Sequence, residues 1–428
     1  MSKLEQLIRE HCPDGVDFYE LREIFDLKNG YTPSKSNPSY WEKGTVPWFR
    51  MEDIRENGRI LSDSLQHVSQ EAVKGNLFPA NSIIVATSAT IGEHALITVP
   101  SLANQRFTYL TRKKKFVDRV DPMFAFYYCF KLDRWCLENT NVSSFESVDM
   151  ARFVRFKMPL PPLSVQNEIV RILDSFSAFM AELTAELRAE LTARKKQYEY
   201  YRDLLLTFGS IDRTLLTERN GTERNGTRRI AVQWIALGDI AKFTYGFTDK
   251  AKDYGTARFI RITDIDDNGC LNPSDGKYVD LSDENQKYRL RKGDLLVART
   301  GATYGKTLYV PSDDPAVFAS FLIKISLNNA QILNRYYWHF SRSTCYWRQA
   351  ENLVSKGGQP QFNSNALCRI IVPVPPLEEQ KRIVAILDRF DALCNSLTSG
   401  LPAEIEARRR QYEYYRDRLL MFKELAVA

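Results

Sequence analysis

Gln197–Phe208 reads QYEYYRDLLLTF, and Gln411–Phe422 reads QYEYYRDRLLMF. The likeness extends backwards from both. Pro159–Phe208 aligns with Pro373–Phe422 at an offset of 214 residues, without a gap and with 29 of 50 positions identical. Further upstream the two halves still correspond, more loosely. VDFYELREIF (16–25) parallels VQWIALGDIA (232–241), and VPWFRMEDIRENGRI (46–60) parallels ARFIRITDIDDNGCL (257–271). Asn29-Gly-Tyr-Thr parallels Tyr245-Gly-Phe-Thr, and PANSIIVATSATIG (79–92) parallels RKGDLLVARTGATYG (291–305) with a one-residue slip. The chain is therefore one unit used twice, with a divergent front and a near-constant rear. Two equivalent units most simply pair about a pseudo-twofold axis. The period is far longer than that of a solenoid repeat, which runs about 20–50 residues.

The boundaries that follow are a first front domain over 1–158, a constant segment over 159–208, a linker over 209–230, a second front over 231–372 and a second constant segment over 373–428. The linker carries TERNGTERNGT, polar and turn-rich. Its two sequons, at Asn220 and Asn225, are read as linker composition, because the start MSKLEQLIREHCPDG has no apolar signal core.

The constant segment is helical. Ile169, Ile172, Phe176, Leu183, Leu187, Leu191, Tyr198, Tyr201 and Leu205 recur at steps of three and four. Prolines at 159, 161 and 162 mark the entry. One helix of roughly 40 residues, about 60 Å long, needs a partner along its apolar stripe. The second copy supplies it through Ile383, Ile386, Phe390, Leu397, Tyr412, Tyr415 and Leu419, though Gly400-Leu401-Pro402 should split that copy into two helices. The words AELT, AELR and AELT at Ala181–Thr192 lengthen the first helix by about 6 Å each. The expected fold class is α+β. Two pseudo-twofold-related, β-rich mixed α/β domains are separated by an antiparallel coiled coil of the long helices.

The fronts read as strands at NSIIVAT (81–87), GDLLVART (293–300), RFTYLTRK (106–113) and FLIKISL (321–327), with aromatic helices at 123–132 and 335–343. Polar and basic residues interleave in the intervening turns. The candidate nucleic-acid contacts are Lys35, Arg50, Thr87, Ser88, Thr90, Gln105 and Arg106 in the first unit. In the second they are Arg258, Arg261, Arg299, Thr300, Lys306, Lys356, Gln359 and Gln361. Arg and Gln suit guanine and adenine edges, and Lys more often holds phosphate. A net charge of +6 permits an anionic partner without requiring one.

Several motifs carry no chemistry. Asn37-Pro38-Ser39-Tyr40 resembles the Asn-Pro-Pro-Tyr site of amino-methyltransferases, but no glycine-rich methyl-donor loop precedes it and the second unit has no counterpart. Gly301–Thr307 falls one glycine short of a P-loop, with Thr at 300. Four histidines (11, 67, 94, 339) and seven cysteines without a CxxC pair give no metal-ligand spacing and suit a reducing cytoplasm. The absence of a run of about 18 apolar residues argues against a membrane span.

Arrangement and motifs together resemble the specificity subunits of type I restriction-modification systems. The carriers are Pro-x-Pro-Pro-Leu-x-x-Gln-x-x-Ile-Val-x-Ile-Leu-Asp at 159–174 and 373–388, Gln-Tyr-Glu-Tyr-Tyr-Arg-Asp at 197–203 and 411–417, and the AELT words. The resemblance implies that each front reads one half of a bipartite double-stranded DNA target and that the helices set the gap between the halves. It implies docking of two modification subunits, which use S-adenosylmethionine, and of restriction subunits, which use ATP and Mg. The chain itself would carry no cofactor and no catalytic residue. The competing readings are a self-sufficient DNA amino-methyltransferase and a coiled-coil scaffold without a DNA role.

Overall fold

A computed structural model describes residues 2–141, 146–208, 231–272, 276–355, 360–395 and 400–425. The expected linker over 209–230 lies outside the described residues, as do Lys356, Gln359 and Leu397. The chain divides into two compact units, Met1–Leu183 with Ala407–Ala428, and Thr184–Glu406.

In the first unit a five-stranded sheet runs in the order Phe25–Asn29, Phe107–Arg112, Ser82–Ala86, His94–Ile97, Ile60–Leu61. Its ladders are antiparallel except the last, where Ile60–Leu61 runs parallel to its neighbour. The strand SIIVA is buried along its whole length because both faces of the sheet are covered. Ile83 and Val85 join the core under the aromatic helix Pro122–Glu138, while Ile84 and Ala86 join a second cluster with Phe49 and Tyr109. Burial on both faces is what an unbroken apolar run requires. Asp121 caps the aromatic helix, accepting from Phe124 N at 2.9 Å, and Pro122 stands at its first position.

The second unit repeats the plan. Four antiparallel strands are ordered Ala241–Tyr245, Leu322–Leu327, Leu295–Ala298, Thr307–Tyr309. Leu295 and Val297 face one core and Leu296 and Ala298 the other. In each unit a small sheet holds a matching parallel pair: Trp48 opposite Leu102 in one, Phe259 opposite Val317 in the other. Gly30 and Gly246 start the loop out of the edge strand. A Cβ on either would collide with the backbone carbonyls of Ala103 or Ala319, so the close approach of two backbones requires glycine there.

The first constant segment is a single helix, Leu163–Thr207, 45 residues long. The second is two helices, Leu377–Asn395 and Leu401–Leu419, as Gly400 and Pro402 require. One strand pair ties each front to its constant segment, Phe18–Glu20 with Lys157–Pro159 in the first and Gln233–Ala236 with Ile371–Val374 in the second.

Candidate nucleic-acid interfaces and the repeated helices

Within each unit the sheet ladders bring several loops to one edge. In the first unit Gly30 N donates to Phe107 O (2.9 Å), Asn104 N to Phe49 O (3.0 Å) and Thr87 N to Arg106 O (3.0 Å), and Ser88 bridges Ser147. The second unit reproduces these links: Gly246 N to Leu322 O (3.1 Å), Ala319 N to Ile260 O (2.9 Å), Arg299 N to Phe321 O (3.0 Å), and Thr300 bridging Gln361. The matched positions are therefore Arg50 with Arg261, Thr87 with Arg299, Ser88 with Thr300, Arg106 with Phe321 and Asn29 with Tyr245.

Arg50, Ser88, Gln105 and Arg106 thus converge on one edge, and Arg261, Arg299 and Gln361 on its counterpart. Lys35 lines a cleft of about 510 Å³ together with Arg50, Trp41, Trp48 and Gln66. Arg299 is held by a carbonyl and two rings. Its Nε donates to Ser320 O at 2.9 Å, and its guanidinium lies 5.4 Å from the Tyr245 ring and 5.6 Å from that of Phe321.

Other candidates take different places. Thr87 and Thr300 are buried, with 7% and 2% exposed, inside the ladder that supports the edge. Thr87 Oγ1 sits 3.0 Å from Thr108 Oγ1, which donates to Asn29 Oδ1 at 2.8 Å. Thr90 is half-buried in the turn that follows. Arg258 stands at the start of its strand, its guanidinium turned onto Asn272 O, away from the edge that Arg261 occupies at the strand's end. Lys306 pairs with Asp267 (2.5 Å) on the hairpin turn. The sequence reading missed Asn29, Tyr245, Gln66 and the half-exposed Phe321. The signal for the first two was the repeated glycine at 30 and 246, which fixes the register of the residue before it.

The motifs set aside are structural. Asn37 Oδ1 accepts from Ser39 N (3.3 Å) and Ser39 Oγ (2.9 Å), so it is spent on capping its own turn. Residues Gly301–Thr303 form a single 3₁₀ turn. His94 is fully buried, with Nδ1 2.7 Å from Asp133. Among the described residues, no group of three or more His, Cys, Asp or Glu could hold a metal ion, and no helix is long and apolar enough to cross a membrane.

The repeated helices pair reciprocally. In the first unit Phe176 stacks on Tyr412 (5.6 Å) and meets the edge of Tyr415 (6.1 Å). In the second, Phe390 faces Tyr198 (6.4 Å) and stacks on Tyr201 (5.7 Å). Since 176 + 214 = 390, 198 + 214 = 412 and 201 + 214 = 415, the same contact is made twice with the copies exchanged. Ile169 and Ile383 are fully buried, while Ile172, Leu183, Leu187, Leu191, Leu205, Ile386 and Leu419 are half-buried. The deepest positions also include Val165, Leu173, Leu206, Leu387, Cys394 and Leu420. The helix buries one stripe against its front domain and another against the partner helix, which a single-stripe reading does not separate.

Polar groups fasten each helix start to its front domain. Gln166 and Gln380 are fully buried. Gln166 accepts from Asp121 N (2.9 Å) and donates to Arg119 O (2.8 Å) and Pro161 O (2.7 Å). Gln380 accepts from Leu333 N (2.9 Å) and donates to Gln331 O and Pro375 O, both at 2.8 Å. About two turns further on, Asp174 accepts from Tyr127 OH (2.6 Å), whereas Asp388 pairs with His339 Nε2 (2.7 Å). Burial drives His339 down to about 4 against the upward pull of the Asp388 hydrogen bond. The neutral ring then donates to Asp388 and accepts from Tyr198 OH at 3.2 Å. The repeated Arg-Asp has a use too. Asp203 accepts from Thr344 N (3.0 Å), and Asp417 pairs with Arg134.

This is a duplicated reader architecture: two like domains with loop edges, each fastened to a shared helical element. The family model for the type I restriction modification DNA specificity domain matches residues 13–193 and 231–407. The chain is 42% identical to the specificity subunit of the Escherichia coli type I restriction enzyme EcoprrI, over 93% of each chain. It is 35% identical to the EcoR124I/EcoR124II specificity subunit of Escherichia coli, over 66% of this chain and 69% of that one. A solved chain from a study of complex assembly and conformational transition of the type I R-M system shares the fold. It has a TM-score of 0.59 at 18% identity and covers 95% of this chain and 98% of its own. The chain belongs to the type I restriction-modification DNA specificity family.

Proposed function

We propose that this chain is the DNA-reading subunit of a type I restriction-modification assembly, and that each front domain reads one half of a bipartite double-stranded target. One observation carries this reading: the two units present the same loop edge from the same ladder while the side chains on it differ. Shared scaffolding with unlike contacts is what two half-sites of different sequence require. The front domains are taken as 1–158 and 231–372, joined through the segments 159–208 and 373–428 and the linker 209–230.

The helix Leu163–Thr207 is about 67 Å long at 1.5 Å per residue. That exceeds one DNA turn of about 34 Å, so the helices can set an unread gap between half-sites. The repeated helix surfaces suit two like partners, and these are taken to be two modification subunits that bring S-adenosylmethionine. Restriction subunits with ATP and Mg complete the assembly, in the cytoplasm. The chain is non-catalytic. A self-sufficient methyltransferase at Asn37–Tyr40 is disfavoured because Asn37 is occupied by its own turn. A scaffold without a DNA role leaves the matched loop edges without a purpose.

Methylome sequencing of the host strain, with the gene intact and deleted, tests the reading. A bipartite methylated-adenine motif present only with the gene is expected. An unchanged methylome in a strain with active modification subunits would overturn it.

A further inference from the structure

Among the matched positions above, Ser88 stands against Thr300, Arg106 against Phe321 and Asn29 against Tyr245. Arg50 and Arg261 are the same residue in the same place. Each directly follows the last residue of its parallel strand, after Phe49 opposite Ala103 and after Ile260 opposite Phe318. Each is held by a carboxylate three residues on. Asp53 Oδ2 accepts from Arg50 N at 2.6 Å, and Asp264 Oδ2 accepts from Arg261 N at 2.8 Å. Both carboxylates are buried, with 0% and 2% exposed. A buried carboxylate is costly unless its hydrogen bonds are met. Here they are met by the backbone, and Asp53 Oδ1 takes Leu65 N at 2.6 Å as well. The effect is to fix where the arginine leaves the chain in both units.

We infer that Arg50 and Arg261 form a common phosphate anchor, gripping the DNA backbone in the same manner at both half-sites, while the unlike residues around them read bases. The inference rests on the reading of each edge as a DNA interface and deepens it. Modules with different targets can use an identical side chain at an identical register only on something the targets share. Every half-site shares the phosphodiester backbone. An arginine fork suits a phosphate, which carries no sequence information and sets register. The two guanidinium groups are seated differently. Arg261 leans on Asp264 (2.9 Å), while Arg50 lies 5.8 Å over the Trp48 ring beside the cleft that Lys35 also lines. The point of exit is nevertheless the same.

The test uses the full-length chain in its assembled complex and a pool of sequence-randomised duplexes. Wild type, Arg50→Ala, Arg261→Ala and the Lys variants are compared for the motif they enrich and for the salt dependence of binding. The alanine variants are expected to enrich the wild-type motif in both halves with weaker binding. Each should lower the slope of log K against log salt by about 0.9, the loss of one phosphate contact. The Lys variants should restore the slope, since phosphate needs the charge and not the fork. Relaxed preference in one half-site, an unrestored slope with Lys, or an unchanged slope with Ala would overturn the anchor. Failure of the wild type to enrich any two-part motif would instead fall on the functional reading and take the anchor with it. Both backbone caps survive the substitutions, but Arg261→Ala also strips buried Asp264 of its guanidinium partner, so melting temperatures are measured for every variant, and Arg261→Lys, which keeps a cation beside Asp264, carries the comparison where the alanine variant melts early.

Discussion

Replacing Gln166 by Leu should destabilise the first unit by about 4 kcal/mol and leave the second nearly untouched. The side chain is fully buried and makes three hydrogen bonds of 2.7–2.9 Å, all to backbone groups. Leucine fills similar volume but removes every partner. The Asp121 N–H is then buried without an acceptor, at about 1–3 kcal/mol, and the carbonyls of Arg119 and Pro161 each lose a bond worth about 1 kcal/mol. The second copy is an internal control, because Gln380 makes the same three bonds to Leu333, Gln331 and Pro375. Gln380→Leu should transfer the whole effect to the second unit. Hydrogen exchange read by mass spectrometry resolves the two, through peptides covering 119–138 and 331–350. Gln166→Glu sharpens the test. It keeps an acceptor for Asp121 N–H but faces two carbonyl oxygens with a carboxylate, so its protonated form is preferred when buried. The Glu variant should recover part of its stability as the pH falls, which the Leu variant cannot do. A loss below about 1 kcal/mol, or equal losses in both units from one substitution, would refute the reasoning that these glutamines clamp front domain to helix.

Three further outcomes follow from the geometry. His339 is held neutral, its folded value near 4 lying below the usual 6.5. The unfolded chain then takes up the proton first, and stability present above pH 6.5 is lost as the pH falls towards 4, by about 2 kcal/mol at pH 5. His339→Tyr, which copies Tyr127 of the first unit, should flatten melting temperature against pH in that window; an unaltered slope would show that His339 is not the group responsible. Deleting one AELT word, Ala181–Thr184, shortens the helix by about 6 Å and turns it by about 40°, so methylome sequencing should show a changed gap between unchanged half-sites, and a changed half-site would contradict the spacer role. Gly246→Ala drives a methyl group into the Ala319 carbonyl and should cost about 1–3 kcal/mol as an overpacked contact, read in a thermal melt; an unchanged melting temperature would show that the two backbones can part.

Much of this architecture was legible because the duplication aligned the chain with itself. The strands at 82–86 and 295–298, the aromatic helices and the break at Gly400–Pro402 all announce themselves through apolar runs, turns or helix breakers. The contact residues were less legible, for a physical reason. A threonine after a buried strand reads as a polar turn residue, yet Thr87 and Thr300 are still inside the ladder, where backbone pairing continues one residue past the apolar run. Arg258 and Arg261 look alike in sequence, but three residues along a strand place them at opposite ends of it. Gln166 gave no sign of its role, because a buried amide whose three partners are main-chain atoms leaves no pattern in side-chain chemistry.

The reciprocal pairing explains why the rear segments match while the fronts differ. Phe176 must fit Tyr412 and Tyr415, and Phe390 must fit Tyr198 and Tyr201. Each copy therefore supplies a helix start to one unit and a helix end to the other, and a change in either copy is felt by a surface belonging to its twin. Packing that tight tolerates little volume change, and a substitution in one copy is accommodated by a matching change in the ring it meets on the other copy. The loop edges escape this constraint. The backbone positions of Ser88, Arg106, Arg299 and Phe321 are set by ladder bonds within their own unit, which accept almost any side chain. A chain built this way can exchange what its edges read without disturbing how its helices pair, and the arginine shared by positions 50 and 261 is the residue whose partner would be common to every sequence read.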